Sequence, residues 1–346
     1  MEKIIRVGMD TSKSVFQVHG VDAAERPVLR RKLARKEMIR FFEKLPATLV
    51  AIEACAGSHH WARLLTSLGH EVRLIAPQLV KPYVKRGKND AADAEALCEA
   101  ASRPTMRFVP VKTAEEQAAL MLMGMRTRLI RKRTQLANAI RGYASEFGIT
   151  AATGMCRIEP LLDSIAENDA VPSLARELFA LHAGEYMQLK AEIERVEKKL
   201  MEWHRENECS QRLAHIPGIG PIGASLLMMK TPDPRLFKSG RDFAAWIGLT
   251  PRDHSTAGKV RSGGITRAGD ELLRSTLVVG ATAVIRQVRQ KNGRHATPWL
   301  LGLIERKKPK IIAVALANKM ARIAWKLMVS GENYSRRSTA PELLPV

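Results

Sequence analysis

Four acidic residues within the first 100 positions carry the clearest chemistry in this sequence: Asp10, Glu53, Asp90 and Asp93. Asp10 closes an apolar run in Gly-Met-Asp-Thr-Ser, and Glu53 closes another in Ala-Ile-Glu-Ala-Cys. Asp90 and Asp93 stand in Asn-Asp-Ala-Ala-Asp-Ala-Glu, a spacing that puts both on one face of a helix. The interleaved alanines favour that helix. Carboxylates gathered in one cleft repel one another, and a cation among them relieves the repulsion. An oxygen-only ligand set favours a hard ion, Mg²⁺ or Mn²⁺. A pair of such ions can flank a phosphodiester, one near the attacking oxygen and one near the leaving oxygen.

Each acid also has a plainer explanation. An Asp after a strand is commonly a turn or cap residue, and Asp90 or Asp93 alone suits a helix N-terminus. The His59-His60 pair either reaches the metal or a phosphate or, as is commoner, packs at a helix start. Lys88 either neutralises a phosphate or is a solvated lysine.

The elements that must position these groups are legible in outline. Residues 1–110 read as α/β. Strands are expected at 4–9, 15–18 and 27–33, then at 48–55 and 71–76, with helices at 37–45 and 58–68 between the later ones. Three strands, helix, strand, helix, strand is the order of a ribonuclease-H-like sheet. If the strands ending in Asp10 and Glu53 are adjacent and parallel, both carboxylates share the sheet edge where ligands bind in open α/β folds.

Residues 111–208 read as a helical, coiled-coil linker. Thr113 and Glu116 form a capping box for a helix reaching about Phe147. A loop is expected at 149–172 and a second helix over 173–206. Along it Leu189, Ile193, Val196, Leu200 and Trp203 step by four, three, four and three. Such a seam serves a helical hairpin or a dimer, and periodicity does not separate the two.

Residues 209–330 form a small, mostly helical third part, and 331–346 a flexible tail. Its glycine-rich turn, His215-Ile-Pro-Gly-Ile-Gly-Pro-Ile-Gly, is helix-hairpin-helix-like. Gly218 and Gly220 there either expose backbone N–H groups to a phosphate or simply make a tight turn. Residues 250–270 read as a loop, followed by helices at about 270–290 and 309–329.

Charge narrows the partners. The 346 residues hold 56 Lys and Arg against 35 Asp and Glu, a net of +21, which points to a polyanion. From Arg126 to Arg141 there are six basic residues and no acid; Arg126, Arg128, Arg131, Lys132 and Arg133 are the candidates there for holding nucleic acid. Arg252, Lys259, Arg261 and Arg267 are the corresponding candidates in the last third. The basic residues are too dispersed for one membrane-surface helix, and no apolar stretch reaches the ~18 residues of a membrane span. The 4 cysteines form no Cys-x-x-Cys pair, which argues against a zinc knuckle and suits a reducing cytoplasm. No secretory leader is expected.

In order and context the four acids resemble the DEDD motif of a RuvC-like domain. Gly220-Pro-Ile-Gly-Ala, Phe243-Ala-Ala-Trp-Ile-Gly-Leu-Thr-Pro-Arg252, Asp253-His-Ser-Thr-Ala-Gly258 and Gly264-Ile-Thr-Arg-Ala-Gly-Asp270 resemble the C-terminal domain of the same family. That family is the DEDD transposases of insertion sequences, relatives of the Piv-type invertases and of bridge-RNA-guided recombinases. The resemblance runs from about residue 4 to residue 330.

It implies a DNA recombinase with a RuvC-like domain, a helical linker and a small transposase domain. The four carboxylates would hold Mg²⁺. A serine of the C-terminal domain would attack the DNA strand and become joined to phosphate, at a site that a homodimer or homotetramer would complete. A structured, element-encoded RNA would pair with donor and target DNA. The protein would be cytoplasmic and nucleoid-associated. Many relatives carry a Ser-Gly pair where this chain has Ser255-Thr256-Ala257-Gly258. Ser255 is the chosen nucleophile, because its primary hydroxyl is less hindered than that of Thr256; Ser262 stands third. A loop serine making only turn hydrogen bonds is the plainer alternative. Two other functions compete. A hydrolytic RuvC-like nuclease, such as a junction resolvase, would use the acids alone and cut without a protein–DNA adduct. A non-enzymatic scaffold would be indifferent to Asp10→Ala.

Overall fold

The structure, a computed structural model, describes residues 4–85, 89–231, 233–254, 261–290 and 296–335. The chain divides into two compact units, Met1–Gln117 and Ala118–Val346.

The first unit is α/β. Its elements are β1 (Arg6–Thr11), β2 (Val15–Val21), β3 (Pro27–Ala34), α1 (Met38–Lys44), β4 (Leu49–Glu53), α2 (Ser58–Ser67), β5 (Glu71–Ile75), α3 (Pro77–Val80), α4 (Asp90–Ala101) and β6 (Phe108–Val109). One sheet runs in the order β3-β2-β1-β4-β5-β6. β1, β2 and β3 form an antiparallel meander, while β1-β4 and β4-β5 are parallel pairs. The expected neighbours β1 and β4 are therefore adjacent and parallel, with Met9 opposite Ile52.

Strand alternation sorts β1 onto two faces. Val7 and Met9 enter an apolar core with Phe16, Phe42, Val50, Ile52, Trp61 and Leu65, beneath α1 and α2. Arg6, Gly8 and Asp10 face the other way, toward α4. There Ala51 and Ile75 pack with Ala96, Leu97 and Ala100 in a separate cluster. α4 runs antiparallel to β1: Arg6 Nε donates to the Cys98 carbonyl at 2.8 Å, and a Cβ on Gly8 would lie 2.0 Å from the Ala94 oxygen. Only glycine admits the helix backbone this close to the strand. Asn89 caps α4 by accepting the Ala92 N–H at 2.8 Å, which starts the helix one residue before Asp90.

The second unit is helical apart from one hairpin. α5 (Ala114–Glu146) begins at the end of the first unit and continues through the boundary. There follow α6 (Ile158–Ala166), α7 (Ser173–Glu206), α8 (Glu208–Ala214), α9 (Pro221–Lys230), α10 (Gly240–Ile247), β7 (Pro251–Asp253), β8 (Ser262–Ile265), α11 (Glu271–Arg289), α12 (Pro298–Arg306) and α13 (Pro309–Ser330). α6 occupies part of the expected 149–172 loop. It buries Ile158, Leu161, Leu162 and Ile165, an amphipathic spacing in a short segment. The expected 250–270 loop contains the antiparallel β7-β8 pair, whose strands are short and largely exposed and so carry no burial alternation.

The seam of α7 packs within its own chain. Leu189 and Ile193, with Val196 beside them, join Leu129, Leu136, Ala137 and Ile140 of α5 in one cluster. Leu200 and Trp203 enter a second cluster built from α8, α9, α10, α11 and α13. Of the two uses that the periodicity allowed, this face makes a helical hairpin. The leucines of α7 left exposed are others: Leu174, Leu178 and Leu181.

Candidate active site

Asp10 and Glu53 occupy the C-terminal ends of adjacent parallel strands and point to the α4 side of the sheet. The antiparallel course of α4 brings its first turn, with Asp90 and Asp93, to that same edge. Burial and the nearby carboxylates of Asp90, Asp93 and Glu53 push the Asp10 pKa up to about 6, against a weaker lowering by a backbone hydrogen bond at Thr11. Burial, with Asp93 adding to it, also holds Glu53 above the ordinary carboxylate range. The four acids far apart in sequence thus converge electrostatically. Among the described residues, no three acidic, His or Cys side chains are drawn together to ligand distance. The donor set nevertheless fits a hard divalent ion: it is all oxygen, and its mutual repulsion is the kind that a cation offsets.

Around this edge, the Thr11 hydroxyl lies 3.3 Å from the Cys55 sulfur. His59 is structural: its Nδ1 accepts the Lys112 N–H at 3.0 Å, and burial, Lys112 and Arg63 lower its pKa, keeping the ring neutral. Lys88 lies outside the described residues. Gly8 is the residue on which the geometry turns and which reasoning on acids alone passes over. The only signal was a glycine two positions before Asp10, on the same face of a strand.

Among the expected nucleic-acid contacts, Arg126 pairs within the chain. Its guanidinium binds Glu197 of α7, Nε to Oε1 at 2.8 Å, because the two helices pack side by side there. It closes the hairpin. Arg133 is half-buried, and its Nε makes no hydrogen bond among the described residues. Arg128, Arg131 and Lys132 are exposed and line a cavity of about 470 Å³ together with Thr127, Gln135 and Lys230. The continuous basic run is thereby split into a structural and a solvent-facing set.

Gly218 has φ +87°, and a Cβ there would meet the Gly280 carbonyl oxygen at 2.9 Å. Its glycine identity is explained by the left-handed turn and by its packing on α11. Gly220 is exposed and starts α9, which has no side-chain cap. Arg252 stands on exposed β7, Arg261 directly precedes β8, and Arg267 is exposed with a left-handed backbone, φ 56°. The hairpin base is held by Arg274, a buried residue outside the expected set, whose guanidinium donates to the Ile247 and Gly269 carbonyls at 3.1 and 3.0 Å. Ser255, Thr256 and Lys259 lie outside the described residues, as does the side chain of Ser262.

A mixed α/β unit with acidic residues at one sheet edge, followed by a helical unit, in a chain of net charge +21, is the class of protein suited to act on nucleic acid. Comparison with known proteins gives the family. Residues 7–148 match the DEDD_Tnp_IS110 transposase family, and residues 210–296 match the Transposase IS116/IS110/IS902 family. The chain is 73% identical to the Sinorhizobium fredii protein y4pF/y4sB, over 96% of this chain and 86% of that one. It is 40% identical to the transposase for insertion sequence element IS1328 of Yersinia enterocolitica, over 97% and 100%. It is 39% identical to the transposase for insertion sequence element IS1111A of Coxiella burnetii, over 96% and 92%. The chain belongs to the IS110/IS116 family of DEDD transposases, and its general function is DNA transposition.

Proposed function

We propose that this transposase cuts and rejoins DNA through a covalent serine intermediate, with Asp10, Glu53, Asp90 and Asp93 holding Mg²⁺ or Mn²⁺. The observation that carries the reading is the placement of Asp10 and Glu53 at the ends of the adjacent parallel strands β1 and β4, with the first turn of α4, bearing Asp90 and Asp93, at the same edge. The bound ion would supply electrostatic stabilisation to the attacking and leaving oxygens. The chain's own part is to hold four carboxylates at one edge and to present a hydroxyl. Ser255 is that hydroxyl: its Oγ gives up its proton and bonds to phosphorus, the P–O bond to one sugar breaks, and the departing oxygen takes up a proton, so that the net transfer is from serine to the leaving oxygen. The serine ester keeps a reactive phosphodiester for strand exchange, where water would end the reaction as a cut.

The sheet order and parallel β1-β4 pair support a ribonuclease-H/RuvC-like assignment of residues 1–110. Residues 111–208 then act as a helical arm and 209–330 as the transposase domain; the arm has its own cluster around Leu129, Ile140 and Ile193, and its ends pack through Ala119, Met123 and Leu200 into the cluster of the transposase domain. Donor and target DNA are the substrates, and an element-encoded bridge RNA guides them. Arg128, Arg131, Lys132, Gly220, Arg252, Lys259, Arg261 and Arg267 hold these nucleic acids. A homodimer or homotetramer is the working form; the exposed Leu174, Leu178 and Leu181 stripe offers an apolar surface for it. Among the described residues no helix is long and apolar enough to cross a membrane. The reading places the protein in the cytoplasm at the nucleoid.

A denaturing gel tests the mechanism. Mg²⁺-dependent protein–DNA adducts should form and vanish in Ser255→Ala. Cleavage without adduct would instead indicate a hydrolytic, RuvC-like nuclease. RNA sequenced from the purified protein should contain loops matching both DNA partners, and full recombination by RNA-free protein would remove the guide.

A further inference from the structure

We infer that a row of side chains on β2 and β3 forms a phosphate track that grips the DNA strand beside the phosphodiester held at the carboxylates. This rests on the reading of Asp10, Glu53, Asp90 and Asp93 as the cutting site.

The track follows from sheet register. Asp10 pairs with Gln17 across the β1-β2 ladder, and Gln17 pairs with Lys32 across β2-β3. Directly paired residues share a face, so Asp10, Gln17 and Lys32 lie in one row on the α4 side. Strands stand about 4.8 Å apart, which puts the Lys32 backbone about 10 Å from that of Asp10. The next row on the same face is Gly8, His19 and Arg30.

Together these rows floor a hollow of about 450 Å³, lined by Gln17, His19, Arg30, Lys32, Lys85 and the first turn of α4 at Asn89, Ala91 and Ala92. The hollow therefore begins at the turn that carries Asp90 and Asp93. Its charge is unbalanced. Among the described residues, Glu95 is the one acid in its lining and is already engaged, by hydrogen bond and ion pair to Lys85 and at 4.0 Å by Arg30. Arg30, Arg31 and Lys32 are exposed on β3, the edge strand, where no further strand covers them among the described residues.

An exposed edge strand with three consecutive cations also resists edge-to-edge pairing, which is the plainer use of such residues. That use does not require them to adjoin an acidic cleft. Beside four carboxylates, a DNA strand is repelled unless cations hold its neighbouring phosphates. The flanking cations offset that repulsion and fix which phosphate reaches the acids. Gln17, neutral and between Asp10 and Lys32, can donate to a phosphate oxygen without competing for the metal.

The test uses the full-length protein with its co-purifying RNA and a DNA duplex carrying the end of the element, with EDTA for binding and Mg²⁺ for nicking. The variants are Arg30→Gln/Lys32→Gln, Lys32→Arg and Asp10→Asn. In the double variant the slope of log affinity against log salt should flatten by about 2, one unit for each phosphate no longer neutralised. Nicking should fall at least as much as binding, and Lys32→Arg should behave as the parent protein. Asp10→Asn should bind with an unchanged slope and not nick. An unchanged slope in the double variant, with Asp10→Asn inactive, overturns the track alone. Nicking by Asp10→Asn overturns the carboxylate reading, and the track's claim to guide the cut strand falls with it.

Discussion

A Cβ placed on Gly8 would stand 2.0 Å from the carbonyl oxygen of Ala94 and 2.5 Å from the Cys98 nitrogen. The two nearest atoms belong to the α4 backbone, so no side-chain rotation relieves the clash. Gly8 thereby sets the depth at which α4 lies on β1, and with it the approach of Asp90 and Asp93 to Asp10.

Gly8→Ala should push α4 off the sheet. The expected cost is about 1–3 kcal/mol of stability, as for other overpacked interiors. DNA nicking should drop further than stability explains, because the carboxylates separate. Thermal unfolding and nicking measured on one preparation check this. A variant as stable and active as the parent would mean that α4 is free to shift.

The Asp10 carboxyl gives a pH signature to the metal-free protein. Burial and three acidic neighbours raise it from 3.8 to about 6 in the folded state. A carboxyl raised on folding favours the folded state while protonated, and that advantage is lost as pH rises from about 4 to about 6. Asp10→Asn should therefore unfold at a higher temperature than the parent in EDTA at pH 7.5. The gain should be about 1–2 kcal/mol after screening at this half-buried site, and should disappear below about pH 4. Melting curves across pH decide it. Added Mg²⁺ should stabilise the parent and not the variant.

Arg126 and the cavity-lining cations should separate cleanly. Arg126→Gln breaks the bond to Glu197 and should cost about 0.5–1 kcal/mol of stability with no change in the salt slope of DNA or RNA binding. The triple change Arg128→Gln/Arg131→Gln/Lys132→Gln should leave the melting temperature nearly unchanged and flatten that slope by about 3. Filter binding across a salt series measures both.

Asp270 closes the hairpin segment onto α11. It accepts the Leu273 N–H at 2.9 Å and pairs with Lys230. Burial alone would raise its pKa, but these two partners outweigh that and hold it below the ordinary range. Its contribution is present above about pH 4 and is lost as pH falls through the folded value. Asp270→Ala should destabilise the second unit by about 1–2 kcal/mol at neutral pH. Hydrogen exchange over α11 would locate the loss, and normal protection there would refute it.

The sequence by itself determined the residue chemistry and the local periods. Acids at strand ends, an alanine-rich helix start after Asn89 and the heptad steps of α7 all follow from nearest-neighbour rules. These rules act over a few residues, so they also placed most strands and the long helices. They missed α3, α6, α8, α10 and α12, which span at most nine residues however amphipathic, and β6, β7 and β8, whose strands are two to four residues long.

Tertiary structure decided what those residues meet. The α7 seam suited a hairpin or a dimer equally until α5 filled it. Arg126 and Arg128 are indistinguishable in a basic run, yet only one finds Glu197. The row from Asp10 through Gln17 to Lys32 joins residues on three strands, and the register creating it depends on strand pairing. Sequence spacing encodes which side of its own element a residue occupies; which other element covers that side is fixed only by packing.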